Sequence, residues 1–389
     1  MYRIPCAERP AWQQKAAEYG FYFHTMYGER YWDESAYYQF SLQQIEEDLE
    51  APTEELHQMC LDVVERVVAD EQLLIQFAIP EAQWEFIRHS WLRRDPSLYS
   101  RLDFVYDGKH PAKLLENNAD TPTSLYETGF WQWLWLEESV DLGRISRRAD
   151  QFNSLQEKLV ARFQHILRQS PEQKTLYFAC CKGTLEDRGT VQYLEDCAVE
   201  AGWRTAFIFV EDIGLNEAGR FVDLADREIE YLFKLYPWEF MFAEAYAGPL
   251  SDSGCQFLEP PWKAVLSNKA LLPMLWRMYP EHPNLLPAYF GHEAERLDTS
   301  VRWVRKPIYS REGANIQILE QGNVLHESGG AYGQEGYIYQ QAQILPRFGD
   351  AYTLVGSWLV DGLAAGISLR EDSGPITQDM SRFLPHVIL

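Results

Sequence analysis

Across residues 53–67 the apolar side chains Leu56, Met59, Cys60, Val63, Val64 and Val67 recur at intervals of three and four. That spacing predicts a helix with one buried stripe, and Pro52 with Thr53 supplies its start signal. Leu155, Leu159, Phe163 and Ile166 repeat the spacing and predict a second helix. The period then changes. "TLYFACC" (175–181) and "AFIFV" (206–210) are short apolar runs flanking a helical stretch near 191–201, a βαβ pattern that predicts an α/β middle segment. In the last third "VRWVRK", "NIQIL", "GYIYQQAQIL", "YTLVGSWLV" and "AAGISLRE" follow one another between Gly-containing turns, as successive strands of an antiparallel sheet do. No repeat or low-complexity linker divides the chain, and the best candidate boundaries fall before Thr175 and near Pro260-Pro261.

Composition narrows the function classes. The 389 residues are 46% hydrophobic and 14% aromatic, an ordinary globular balance. A net charge of -23 repels polynucleotide backbones and anionic membrane surfaces, so neither nucleic acid nor membrane is expected as a partner, and a metal-dependent nuclease or polymerase is disfavoured. No apolar run is long enough to span a bilayer and "MYRIPCAERPAW" lacks the apolar core of a secretory signal; a cytoplasmic protein is expected. Six scattered cysteines do not make a disulfide scaffold, and nine histidines show no metal-ligand spacing.

Chemistry concentrates around "SRLDFVYDGKHPAKLLENNAD", two strand-like runs about the turn signal Asp107-Gly108. Side chains two apart share a strand face, so Arg101 and Asp103 pair on one strand, Glu116 and Asn118 on the other. With those faces matched, Asp103, Glu116 and Asn118 converge as three oxygen ligands beside a guanidinium. Hard cations such as Mg²⁺ take such a set together with substrate phosphates. Two acids on a hairpin are commonly just a solvated face; the planar cation beside them tilts the reading toward phosphoryl transfer. Lys269 in "VLSNKALLPMLW", where Ser267 or Asn268 can cap a helix, and Lys306 at the end of "VRWVRK" are two further cations in apolar settings. The loop "KPIYSREGANI" carries Gly313, which lets backbone N–H groups approach phosphate oxygens. Arg370, beside Glu371 and Asp372, is a second candidate for binding anionic groups.

Together these segments resemble the synthetase part of glutathionylspermidine synthase and its single-domain relatives classed as acid–amine ligases. The resemblance runs through "SRLDF", "ENNADTPTSLYE", "EDRGTVQYLEDCA", "LYPWE", "LSNKALLPMLWRMYPEHPNLL", "VRKPIYSREGANI", "GSW", "LREDSGPIT" and "SRFLPH". It implies an α/β (α+β) ATP-grasp-like fold with antiparallel sheets and an α/β substrate-binding region. The whole of 1–389 would form one unit with approximate sub-regions 1–174, 175–260 and 261–389.

The activity implied is ATP- and Mg²⁺-dependent amide formation: ATP phosphorylates an acid to an acyl phosphate and an amine displaces the phosphate. An ATP-binding protein that has lost ligation is the alternative. By the same resemblance Asp103, Glu116 and Asn118 match the magnesium ligands and Arg101 the residue that binds nucleotide phosphate. Lys269 and Lys306 match the ATP-phosphate lysines, and Glu312 with Gly313 covers the nucleotide. Gln340, Gln341, Ile376 and Thr377 fall at the nucleotide pocket. Ser124 matches the neighbourhood that holds glutathione, with "ADTPTS" as the wall of the acid pocket. Glu186 and Asp187 match carboxylates near a polyamine, although an acidic pair opening a helix is equally favoured by the macrodipole, and Arg370 matches a site for the acid or its phosphate. Only about 100 residues precede the hairpin, so the cysteine amidase half of the bifunctional enzyme is expected to be missing. The expected partners are therefore a small-molecule or peptide acid and an amine, and a homodimer is compatible with the sequence. Asn117, facing away from the ligands, is expected to tolerate replacement best.

Overall fold

The computed structural model describes residues 1–169, 174–377 and 381–389. Its centre is a six-stranded antiparallel sheet that joins the Arg101 hairpin to the end of the chain. Tyr99–Val105 pairs on one side with Lys113–Asn118 and on the other with Ala351–Val360, which continues to Leu363–Asp372 and Arg382–Leu384, while the short sixth strand Arg347–Phe348 folds back on Ala351–Val360. Buried Tyr99, Leu102, Phe104, Trp358, Ile367 and Leu369 explain why these strands lie at the centre, since a strand covered on both faces must be apolar on both. A five-stranded antiparallel sheet holds Ala288–Phe290, Tyr337–Gln341, Trp303–Pro307, Gln317–Glu320 and Asn323–Glu327, in that spatial order. The strands expected to form one antiparallel sheet in the last third are thus divided between two sheets, with the break falling after Gln341. Nothing in a run of alternating residues says which sheet a strand joins.

The middle segment is parallel, as its apolar runs predict. Thr175–Cys180 pairs with Arg204–Phe209 through the helix Leu185–Glu200, and Tyr231–Leu235 and Gln256–Leu258 extend the sheet on the other side. Helix Leu155–Gln169 buries Leu155, Leu159, Phe163 and Ile166, the stripe read from sequence. The first predicted helix is Ala51–Val68 and buries its expected stripe, but its start lies elsewhere. Helical backbone already begins at Leu42, where Ser41 and Gln44 form a reciprocal capping box. Thr53 is no cap; its buried hydroxyl donates to Ser357 Oγ at 2.7 Å and ties the helix to the central sheet.

The last strand, His386–Ile388, closes a small sheet with Ala36–Phe40 and Tyr2–Pro5. His386 is fully buried and neutral: Nδ1 lies 2.9 Å from Gln132 Oε1, and Nε2 accepts from Phe152 N at 3.1 Å. Burial pushes the imidazole down to about 3. A ring protonated on Nε2 would face the Phe152 N–H as donor against donor. The unfolded chain takes up a proton below about pH 6.5, whereas the folded chain refuses it, so stability must fall as pH drops below that value. Urea midpoints from about pH 7 to about pH 5 should fall in the wild type and fall less in His386→Gln; equal slopes would show that the acid sensitivity arises elsewhere.

Candidate functional site

The site begins with strand register. Arg101 lies opposite Asn118 and Asp103 opposite Glu116, so the two pairs that share strand faces in the sequence also share one face of the hairpin. The connection is longer than a tight turn, with Asp107 Oδ1 accepting from the N–H groups of Lys109 and His110 at 2.9 Å each. Arg101 donates in a fork to Asp103, Nε to Oδ1 at 2.6 Å and a terminal nitrogen to Oδ2 at 3.1 Å. Its other terminal nitrogen reaches Thr123 O at 2.9 Å, and the guanidinium carbon lies 5.4 Å from the centre of the Trp358 ring. Both side chains are buried. Burial pushes the Asp103 carboxyl up, against the pull of Arg101.

Asn118 Nδ2 donates to Asp103 Oδ2 at 3.0 Å and to Glu116 Oε1 at 3.3 Å. A half-turn of the amide presents its oxygen beside the same two carboxylates, which makes a hard-cation donor set of two acids and one amide. Among the described residues no group of three or more His, Cys, Asp and Glu side chains is arranged to hold a metal ion. Two carboxylates are nonetheless what Mg²⁺ takes when water and phosphate oxygens complete its shell. These side chains therefore fit that ion better than a metal needing an all-protein cage.

Two lysines face the acids. Lys269 Nζ lies 3.0 Å from Glu116 Oε2 and donates to Ser310 O at 2.7 Å. It sits just before the helix Leu271–Met278, where Asn268 Oδ1 accepts from Ala270 N at 2.8 Å. Lys306 donates to Leu115 O at 2.9 Å and to Gln340 Oε1 at 2.7 Å, while Gln340 Nε2 reaches Leu114 O at 2.8 Å. These bonds fasten the hairpin's edge strand to the five-stranded sheet. Burial pushes the Lys306 ammonium down to about 8, against the pull of Glu116. Burial would also push the Glu116 carboxyl up, but Lys269 and Lys306 outweigh it and hold the group well below the usual carboxylate range.

The loop at 309–315 bends over this cluster through residues in the left-handed region, Glu312 at φ 54°, Gly313 at φ 68° and Asn315 at φ 55°. Gly313 is required there twice over, because a Cβ would also collide with the carbonyl oxygen of Thr377. Arg311 donates to Glu239 Oε1 at 2.8 and 3.0 Å and to Thr121 Oγ1 at 2.6 Å, which links the loop to the wall after the hairpin. That wall is rigid. Asp120 accepts from Lys234 Nζ at 2.6 Å and from Trp238 N at 2.8 Å, and the Tyr99 hydroxyl donates to Pro122 O at 3.0 Å.

Every residue to which the resemblance gives a metal, nucleotide or substrate role lines one cavity of about 540 Å³. Asp103, Glu116, Asn118, Arg101 and the two lysines form one end, beside Gln340 and Gln341 and beneath Glu312, Gly313, Ile376 and Thr377. Ser124, Glu186, Asp187 and Arg370 line it as well, and Glu186 accepts from the Tyr31 hydroxyl at 3.1 Å. Thr121, within the expected wall "ADTPTS", lines it too, and so do Tyr31, Arg311 and Phe383, for which the sequence suggested no role. Arg311 lies inside the quoted "YSREGAN" and its charge next to Gly313 was a usable signal; Tyr31 stands in no motif. Asn117 does turn away from the cavity, as alternation requires, but it is buried, with Nδ2 3.7 Å from Cys60 Sγ and no partner on Oδ1. It is therefore a core position and not the tolerant one expected. Among the described residues no helix is long and apolar enough to cross a membrane.

The chain is similar to known proteins along nearly its whole length. The chain is 41% identical over 388 residues to a provisionally assigned acid–amine ligase of Haemophilus influenzae, covering 97% of both chains. It is 29% identical to trypanothione synthetase of Crithidia fasciculata, over 83% of this chain and 52% of that one. It is 28% identical to the bifunctional glutathionylspermidine synthetase/amidase of Escherichia coli, over 88% of this chain and 58% of that one. The match thus spans little more than half the length of these two larger synthetases. The sequence profile described as glutathionylspermidine synthase preATP-grasp matches residues 3–389, and the chain belongs to that family of ATP-dependent ligases.

Proposed function

We propose that this cavity ligates a carboxylic acid to an amine with ATP and Mg²⁺, through an acyl phosphate. The observation that carries the reading is the facing of Asp103, Glu116 and Asn118, with Arg101 beside them, against Lys269 and Lys306 under a Gly-containing loop. When bound, ATP with magnesium supplies the phosphoryl group that activates the acid. The chain's own part is positional and electrostatic. Asp103, Glu116 and the Asn118 oxygen would hold the ion, and the Arg101 guanidinium, oriented by its fork on Asp103, would set its charge against the transferring phosphoryl group. Lys269 and Lys306 would offset the charge of the nucleotide phosphates, and Gln340 and Gln341 would meet the base. The loop around Glu312 and Gly313, with Ile376 and Thr377, covers the nucleotide and excludes the water that would hydrolyse an acyl phosphate.

Ser124 and the wall at 121–124 would hold the acid, Arg370 its carboxylate or the phosphate formed on it, and Glu186 with Asp187 the cationic amine. The names of the larger relatives make a glutathione-like peptide acid and a polyamine-like amine the first pair to try. Incubating the protein with ATP, magnesium and a metabolite extract should yield, by mass spectrometry, a species equal to one acid plus one amine minus one water. ATP hydrolysis with no such species from any extract would overturn ligation and leave an ATPase.

A further inference from the structure

The amine end of the cavity has a buried carboxyl behind its wall that no step so far uses. Glu127 is 1% exposed, Tyr31 is 1% exposed, and the Tyr31 hydroxyl lies 2.6 Å from Glu127 Oε1 and 3.1 Å from Glu186 Oε1. One hydroxyl has one proton and can donate to only one of two carboxylates at a time. A second proton in the cluster, held by a carboxyl, gives each of these close oxygen pairs a hydrogen to share. Ser124 Oγ, at 3.5 Å from the same hydroxyl, completes the group. Glu127 Oε2 is buried with no hydrogen-bond partner, which is a costly arrangement for an ionised carboxylate and a tolerable one for a group that takes up a proton. Tyr31, Ser124 and Glu186 line the cavity, so Glu127 communicates with it through the phenol.

We propose that Glu127 is the proton acceptor for the attacking amine, receiving the proton through the Tyr31 hydroxyl. This rests on the ligase reading above. An amine arrives as an ammonium ion and must lose one proton before its nitrogen can attack. Once Glu127 has given up its resting proton, the Tyr31 hydroxyl passes its own proton to the ionised carboxylate as it takes one from the amine, directly or through Glu186. The nitrogen then forms the C–N bond, the C–O bond to phosphate breaks, and the second amine proton leaves with inorganic phosphate. Burial, and after it the charge of Glu186, pushes the Glu127 carboxyl up to about 8, against the pull of its hydrogen bond from Tyr31 and of Arg370. A base placed near the working pH is the efficient arrangement for such a transfer. The charged and titratable groups that act on Glu127 are Tyr31, Glu186 and Arg370, from three separate segments, and the neighbouring phenol of Tyr126 feels the Glu127 charge in turn.

The test has two arms. In the first, infrared spectra of the whole protein without substrates are recorded across pH. A protonated-carboxyl stretch that disappears near pH 8 is expected in the wild type, and it should be absent in Glu127→Gln, kept in Tyr31→Phe and moved to lower pH in Glu186→Gln. No such band in the wild type, or an unaltered one in Glu127→Gln, overturns the proposal. In the second arm, glutathione serves as the acid, with either spermidine or hydroxylamine, which is already neutral, as the nucleophile. The ratio of amide to hydroxamate should fall about 100-fold or more in Glu127→Gln and Tyr31→Phe, and the rise of amide formation through pH 8 should vanish. Equal loss of both products would mean a structural role only and overturn the transfer step. If the wild type yields neither product, the ligase assignment with these probes fails, and the infrared arm still decides whether Glu127 holds the proton.

Discussion

Arg101→Ala is expected to lower ATP-dependent ligation by about 1000-fold or more, the effect of losing a cation that stabilises charge in phosphoryl transfer. It should also lower the free energy of unfolding by about 3–5 kcal/mol, the usual cost of breaking a buried ion pair from one side. Both effects follow from one geometry. The fork on Asp103, with contacts at 2.6 and 3.1 Å, is fully inside the protein, and its removal leaves Asp103 buried with only Asn118 donating to it. The same guanidinium anchors the wall through Thr123 O and lies against Trp358 in the adjacent strand. Arg101→Lys separates the two consequences, because lysine restores the charge but not the planar fork. Its urea midpoint should lie between those of wild type and Arg101→Ala, while its turnover should stay close to that of the alanine variant. Recovery of turnover in Arg101→Lys would show that any cation suffices at this position and that the fork has no part in the chemistry.

The hairpin was legible because its information is local. A spacing of two fixes the face of each pair, and the turn signal says that the two runs pair; the register itself, Asp103 opposite Glu116 and Arg101 opposite Asn118, is set by the longer connection and by an irregularity between Asp103 and Phe104 that no tight turn at Asp107-Gly108 would give. The loop at 309–315 was legible for a related reason, since Gly313 is needed by its own backbone angle. What was not legible depends on pairing between distant segments. Tyr99–Val105 is flanked by Ala351–Val360 across some two-thirds of the chain, and alternation within either strand is silent about the neighbour. The division of the last third into two sheets was hidden in the same way. Asn117 was misjudged because alternation says only that it faces away from Asn118; it took the helix Ala51–Val68, packed with Cys60 against it, to make that opposite face interior. Tyr31 and Glu127 are 96 residues apart, and Tyr31 and Glu186 are 155 apart, so no window of sequence contains the cluster they form. The family resemblance reached the cavity lining residue by residue, but it carried over only positions that stand in motifs, and Tyr31 stands in none.

Glu116→Gln gives the second large effect and decides between two roles for that carboxylate. As a magnesium ligand it should be needed for metal affinity; as a partner of Lys269 alone it should be needed only for holding the lysine. The residue is positioned for both, with Oε2 3.0 Å from Lys269 Nζ and Oε1 3.3 Å from Asn118 Nδ2. It is kept ionised by the two lysines, which hold it well below the usual carboxylate range in spite of burial. Glutamine keeps the shape and removes the charge, so Lys269 and Lys306 are left facing each other with Asp103 as the remaining acid of the ligand set. Loss of a ligand carboxylate should reduce turnover by about 100-fold or more and move half-saturation by magnesium upward by at least about tenfold, in line with the 10–100-fold cost of altering even the groups that support metal ligands. Lys269→Met is the control. It removes the same ion pair while leaving the carboxylate, so it should weaken ATP binding with little change in the magnesium requirement. If Glu116 only paired with Lys269, the two variants would share one magnesium dependence and the double variant would be no worse than either single one. A magnesium shift confined to Glu116→Gln, with the double variant worse than both, is the result that identifies Glu116 as a ligand.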